Sequence, residues 1–99
     1  MFTDETEAQG FEEYQAMMNA RFVQQCRNAG QEMVKEGCRR GHWPMVAAGW
    51  AAVVAAATSE NERRACTKEA ARYRKMVSAA HFAEAQAELV TRARRRMVA

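Results

Sequence analysis

Hydrophobic positions in the first part of the chain follow a helical spacing. Apolar residues recur there at steps of three or four, the spacing of one face of an α-helix. This stripe comprises Phe11, Tyr14, Met18, Phe22, Cys26, Ala29 and Met33. We therefore predict one long amphipathic helix from about Asp4 to Arg40. A break at Ala29–Gly30 is the competing interpretation, because glycine weakens a helix interior.

The central stretch from Trp43 to Ala57 contains no charged and no strongly polar residue. Pro44 suits the first turn of a helix, where its missing N–H is not needed. Because this helix has no polar face, we expect its neighbours to bury it. It is shorter than the roughly 18 to 20 apolar residues that a membrane-spanning helix needs. We therefore predict a short buried helix and no membrane association.

A third segment begins at Ser59, which precedes Glu62 at the spacing of a helix capping box. Its apolar positions again have helical spacing, and we predict one helix from there to about Val98. These positions are Cys66, Ala70, Tyr73, Val77, Ala80, Ala83, Ala87 and Val90. The sequence thus predicts one all-α domain over residues 1–99, with three helices: one long, one short and buried, and one long.

The unequal lengths of the predicted helices have a consequence for assembly. A helix rises about 1.5 Å per residue, so the outer helices should extend well beyond the middle one. Parts of their apolar faces would then stay uncovered within one chain. A second copy would cover them, and a symmetric dimer is the commonest such arrangement. The residues expected at this dimer or partner interface are Phe11, Tyr14, Met18, Phe22 and Met33.

Charge divides the chain into two parts. Residues 1–37 carry seven acidic and three basic residues, a net charge of −4. Residues 38–99 carry twelve basic and five acidic residues, a net charge of +7. This asymmetry favours contact between the acidic first helix and the basic last one, within a chain or across a dimer.

Four basic residues of the second part are spaced to share one helix face. They are Arg64, Lys68, Arg72 and Lys75. Such a face can contact the phosphates of a nucleic acid. Acidic residues are interleaved with the basic ones on the same segment, however, so a solvent-exposed face is the preferred interpretation. Nucleic-acid binding stays the alternative.

The sequence contains no recognisable catalytic or metal-binding pattern. Nucleophilic catalysis would combine Cys26, Cys38 or Cys66 with His42 or His81 and an orienting group. Cys26 and Cys66 fall on apolar stripes, which is typical of small buried residues. Zinc ligands usually come in close pairs, which are absent from this sequence. We predict a non-enzymatic protein without metal or cofactor.

Two features of the sequence predict a cytoplasmic location. The chain has three cysteines, an odd number without close pairing, which is typical of a reducing compartment. Its acidic beginning, MFTDETEAQ, lacks the apolar segment of a secretion signal.

Two stretches suggest what kind of protein this is: FEEYQAMMNARFVQQC and GHWPMVAAGWAAVVAAA. The chain resembles small helical bacterial regulators that sequester another protein, and in particular the anti-activators of LuxR-type quorum-sensing transcription factors. The resemblance implies a dimeric helical protein that binds the activator's ligand-binding domain, disturbs its dimerisation and so blocks DNA binding. Phage inhibitors of bacterial defence complexes are similar in size and character, and they provide a competing expectation.

Overall fold

The computed structural model describes the backbone of residues 4–98 and the side chains of residues 10–98. Within residues 4–98 the chain forms four α-helices and no strand. The helices are α1 (Asp4–Arg40), α2 (Trp43–Ala55), α3 (Glu60–Arg74) and α4 (Ala79–Val98). The predicted all-α class is confirmed. The predicted number of three helices is wrong, because the last one is divided.

The division of the last helix lies at residues 75–78. The N–H of Met76 donates to the carbonyl oxygen of Tyr73 at 3.0 Å, a tightened turn that ends α3. Ser78 then caps α4, since its Oγ accepts a hydrogen bond from the N–H of His81 at 3.2 Å. No glycine or proline marks this turn, and the apolar spacing continues through it. The spacing alone therefore predicted one helix.

One arginine stabilises the turn between α3 and α4. The guanidinium of Arg74 donates to the carbonyl oxygen of Val77 at 3.0 Å. It also lies over the ring of Phe82, with its central carbon 4.4 Å from the ring centroid. This is the geometry of a cation–π contact. The start of α4 is thus held against the end of α3.

A sharp reversal connects α1 and α2. Gly41 has a φ of +67°, the left-handed conformation that favours glycine after a helix. The N–H of His42 donates to the carbonyl oxygen of Gly37 at 2.8 Å, and that of Gly41 donates to Cys38 at 3.4 Å. The imidazole Nδ1 of His42 then accepts a hydrogen bond from the N–H of Met45. His42 is thus the N-cap of α2.

The backbones of α1 and α2 touch at two glycines. A Cβ built on Gly30 would lie 2.7 Å from the carbonyl oxygen of Gly49. A Cβ built on Gly49 would lie 2.5 Å from the carbonyl oxygen of Gly30. Helix α1 runs unbroken through this point, so Gly30 marks a close crossing rather than the alternative break.

The core lies where α1, α2 and α4 meet. As predicted, α2 is the most buried helix: residues 45–49 and Val53 are buried, although Ala55 near its end is exposed. The helix ends two residues earlier than predicted. The central cluster of buried side chains is Ala29, Met33, Met45, Ala48, Ala85, Leu89 and Ala93. Because four of the seven are alanines, the few larger side chains supply most of the buried apolar area.

Ion pairs join the acidic α1 to the basic α4 within one chain, as the charge asymmetry suggested. The guanidinium of Arg92 lies 2.9 Å from carboxylate oxygens of both Glu32 and Glu36, and 3.0 Å from Glu88. Arg96 pairs with Glu32 as well. The side chain of Arg92 is only 18% exposed, so water screens these contacts less than it screens a surface pair.

Because of this network, the free energy of unfolding should change with pH in the acidic range. The hydrogen bond from Arg92 lowers the pKa of Glu36 from its ordinary value of 4.5, with further help from the positive charges of Arg92 and Arg40. A carboxyl whose pKa is lower in the folded state stabilises the fold above its unfolded pKa. That contribution is lost as the pH falls from about 4.5 through the folded pKa.

We therefore expect Glu36→Gln to be less stable than the parent near neutral pH. The difference should shrink as the pH falls from about 4.5 through the lowered folded pKa of Glu36, below which the parent carboxyl is protonated as well. Urea denaturation at a series of pH values measures this difference directly. A difference that stays constant with pH would show that the charge of Glu36 does not stabilise the fold.

None of the helices within residues 4–98 combines the length and the apolar character that crossing a membrane requires.

Candidate protein-interaction surface

Helix α1 extends far beyond the other three. Its 37 residues span roughly 55 Å, close to the 58 Å long axis of the molecule. Helix α4 ends beside Arg21, whose guanidinium donates to the carbonyl oxygen of Met97 at 3.3 Å. Residues 4–20, here called the overhang, therefore project past the helical bundle by roughly 25 Å. From residue 10 onward every overhang side chain is exposed except the half-buried Met18.

The apolar stripe of α1 runs from the core out onto the overhang. Phe22 and Cys26 are half-buried and pack against the core cluster. Further out, Phe11 is 66% exposed and Tyr14 is 55% exposed. These residues continue one face of α1. The bundle covers that apolar face from Phe22 onward, whereas the overhang leaves it exposed to solvent. Large aromatic side chains in such a position are typical of an interaction surface.

The structure separates the five residues that the sequence placed at an interface. Phe11, Tyr14, Met18 and Phe22 lie together on one face of α1, at the overhang or at its base. Met33 has an exposure of 0% and belongs to the core cluster of its own chain. It therefore offers no surface to a second molecule. The physical reason is that α2 and α4 both cover α1 at Met33 and have ended before Tyr14.

An apolar groove of about 280 Å³ lies at the base of the overhang. It runs between α1, α2 and α4, and small side chains of α2 form its floor. Its lining includes Phe22, Val23, Cys26, Ala51, Ala55 and Val90. Phe22 and Cys26 belong to the α1 stripe, so groove and overhang form one continuous apolar surface.

Two residues of this groove are absent from the interface that the sequence predicts. Val23 is 43% exposed and lies beside the stripe rather than on it. The apolar spacing places Val90 on the face of the predicted third helix, without a link to the first helix. The adjacent apolar residues Leu89 and Val90 were the available signal. A strict helical face cannot bury both equally, and here Leu89 enters the core while Val90 reaches the groove.

The four basic residues predicted for one helix face are all exposed, three of them on α3 and Lys75 at its C-terminal cap. Arg64 is paired with Glu60 at 3.5 Å, and Arg72 lies over the ring of Tyr73 at 5.6 Å. Lys68 is exposed on the same face of α3, and Lys75 is exposed directly after the helix ends. Near the chain end, Arg92 and Arg96 are held by acidic residues of α1, whereas Arg94 and Arg95 are exposed.

The cysteines and histidines lie in different parts of the structure. Cys38 is exposed, and Cys26 and Cys66 are half-buried. Burial raises the pKa of the Cys26 thiol, which lowers the fraction present as the reactive thiolate near neutral pH. His42 is engaged as the N-cap of α2. Among the described residues, no group of three His, Cys, Asp or Glu side chains is arranged to hold a metal ion.

A second cleft, of about 570 Å³, opens where α1 and α2 meet α4. His42 and His81 line it together with Glu84 and Glu88, and two arginines complete the wall. One of these is Arg92, which three carboxylates already bind. The cleft is thus a mixed-charge surface whose strongest cation is neutralised within the chain, and it gives no preference for an anionic or a cationic ligand.

No protein-family model, no curated protein and no solved structure matches this chain.

Proposed function

We propose that this protein is a non-enzymatic regulator that binds and inhibits a protein partner through the overhang. The observation that carries the proposal is the exposure of Phe11 and Tyr14 at the end of a stripe that is otherwise buried. Burying apolar area contributes about 25 cal/mol per Å², so covering two aromatic rings favours binding substantially. Interfaces are commonly organised around a few aromatic anchors of this kind.

The proposed partner offers an apolar helix face or groove to the overhang. A helix that docks by one face uses side chains three or four positions apart, as Phe11, Tyr14 and Met18 are. Glu12 and Glu13 flank these anchors and are exposed. A basic rim on the partner would complement their charge and accelerate association.

More specifically, we propose that the partner is a LuxR-type transcription factor and that this chain prevents it from binding DNA. The resemblance to the quorum-sensing anti-activators supports this form, together with the small helical fold and its exposed aromatic face. The competing proposal is that the partner is a bacterial defence complex, as for the phage inhibitors of similar size. Three free cysteines support the proposed cytoplasmic site of action.

Glutamate at the two anchors should strongly weaken partner binding. We expect the Phe11→Glu/Tyr14→Glu variant to bind at least about 100-fold more weakly, because it places two charges in the centre of the interface. Both positions lie outside the core, so circular dichroism should show an unchanged fold. The matched control is Ala20→Glu, an exposed position of the same helix about 180° away from Phe11.

The measurement has two stages. The tagged chain and both variants are first used to isolate partners from the native cell extract. Affinities are then determined with the purified partner, and with a LuxR-type ligand-binding domain in parallel. For a transcription factor, loss of operator binding on addition of the chain measures the inhibition. Equal affinity of the double variant and the Ala20→Glu control would contradict the proposal.

A second candidate function is binding to a nucleic acid through α3. The observation that favours it is the exposure of all four basic residues predicted for that face. The pairing of Arg64 with Glu60 removes part of the positive charge. A salt titration distinguishes the two functions, because each phosphate contact makes the logarithm of the binding constant fall by about 0.9 per decade of salt. Affinity that is insensitive to salt excludes this candidate.

A further inference from the structure

The groove at the base of the overhang has the form of a docking site for a helix. Its floor consists of small residues of α2, among them Ala51 and Ala55. Small side chains allow the backbone of a neighbouring helix to approach closely. Phe22 and Val23 form one wall, and Val90 lies on the other helix that borders the groove. An amphipathic helix with one or two large apolar side chains fits a surface of this shape.

We propose that the overhang of a second copy of this chain occupies the groove. The exchange is reciprocal: each copy supplies one overhang and one groove, and a two-fold axis relates them. Such a dimer is closed, since neither copy then retains an open groove. The inference requires only this chain and stands independently of the partner proposed above.

The spacing of the α1 stripe suits an antiparallel pairing of two such helices. Tyr14, Met18 and Phe22 are equally spaced along the sequence. A two-fold axis beside Met18 therefore places Tyr14 of one copy opposite Phe22 of the other. Phe11 then reaches the part of the groove that Cys26 lines. Every exposed anchor of the overhang meets an apolar residue in this register.

Charge also favours a second copy as the occupant. Residues 4–20 contain five acidic and no basic residues, so the overhang has a net charge of −5. The bundle end from which it projects is basic. Arg21 lies there, and the exposed Arg94 and Arg95 lie in the last part of α4. The acidic overhang of one copy would therefore approach the basic bundle end of the other.

Sedimentation velocity of the purified full chain tests the inference over a range of concentrations. We expect a dimer at micromolar concentration, with a dissociation constant that rises with salt. Phe11→Glu/Tyr14→Glu should raise this constant at least about 100-fold, and Ala20→Glu should leave it nearly unchanged. A parent chain that is monomeric throughout, or equal dimerisation of both variants, would overturn the inference.

A charge exchange tests the geometry more closely. Glu12→Arg/Glu13→Arg makes the near part of the overhang basic, and Arg94→Glu/Arg95→Glu makes the bundle end more acidic. Each variant alone should dimerise at least about tenfold more weakly, because like charges then approach each other. When the two are mixed, both contacts join opposite charges, and a heterodimer should form. A mixture that stays as dissociated as its components contradicts the arrangement.

The second copy and the proposed partner would compete for one surface. A chain that is monomeric yet captures its partner overturns the dimer and leaves the proposed function intact. A chain that dimerises but captures no partner overturns the proposed function and leaves the dimer intact. The measurements can therefore contradict the dimer and the proposed function separately.

Discussion

Replacing Met33 with alanine should lower the free energy of unfolding by about 3 kcal/mol. Met33 is fully buried and is one of the two largest side chains with no exposed area, together with Val46. Its neighbours in the core cluster are largely alanines, which have no rotamers with which to fill the space that truncation leaves. The cavity should therefore persist, and the measured loss of stability should include the full cost of the lost contacts.

The size of this effect is large in relation to the whole fold. A domain of this length is typically stable by about 5 to 15 kcal/mol. Met17→Ala is a matched control, because it truncates the same residue type in the same helix at a position that is 60% exposed. We expect it to change stability by less than about 0.5 kcal/mol. Chemical denaturation of the three proteins gives both values, and equal losses for the two variants would contradict the assignment of Met33 to the core.

A single methyl group at Gly30 should also destabilise the fold, by up to about 2 kcal/mol once the gain in helix propensity is subtracted. Alanine normally strengthens a helix by about 1 kcal/mol relative to glycine. Here its Cβ would lie 2.7 Å from the carbonyl oxygen of Gly49 and 3.0 Å from the Cβ of Ala52. Because the nearest obstacle is backbone, the helices must separate, and overpacking of this kind costs about 1 to 3 kcal/mol.

Gly10 provides the control for this prediction within the same helix. A Cβ there would meet nothing within 4 Å, so Gly10→Ala keeps the gain in helix propensity without a clash. We expect opposite signs: Gly30→Ala lowers the thermal midpoint, and Gly10→Ala leaves it unchanged or raises it. Thermal denaturation followed by circular dichroism measures both. A rise with Gly30→Ala would show that the two helix backbones do not touch in solution.

The elements with strong periodicity could be predicted from the sequence. The stripe from Phe11 to Met33 specified α1, and the uncharged stretch after Pro44 specified a buried α2. The sequence also showed that Ser59 caps α3, and its Oγ does accept a hydrogen bond from the N–H of Glu62 at 3.1 Å. These features depend on local spacing and capping, which a sequence displays directly.

Other features depend on contacts that local sequence does not display. Ser78 begins a new helix, but the surrounding apolar spacing conceals the turn. Gly30 has the same local signature whether it breaks a helix or permits a close crossing. Only the presence of Gly49 opposite it decides between the two. The sequence therefore offered two interpretations of Gly30, and the tertiary contact selects one.

The same limit applies to the candidate site. Phe11 and Met33 lie on one stripe, and the spacing predicts one interface for both, yet Phe11 is exposed and Met33 is fully buried. Their difference depends on where α2 and α4 end along α1. That boundary is set by packing between distant segments, so the pattern identified the face without showing which part of it is free.

The stacking of Trp43 on Tyr73 has a consequence for following the molecule in solution. The ring centroids are 5.8 Å apart with an interplanar angle of 25°, and the pair joins the first residue of α2 to the last turn of α3. Excitation energy passes efficiently from tyrosine to tryptophan at this separation. The native chain thus contains an optical reporter of whether α3 is docked, and Trp50→Phe would leave Trp43 as its only tryptophan.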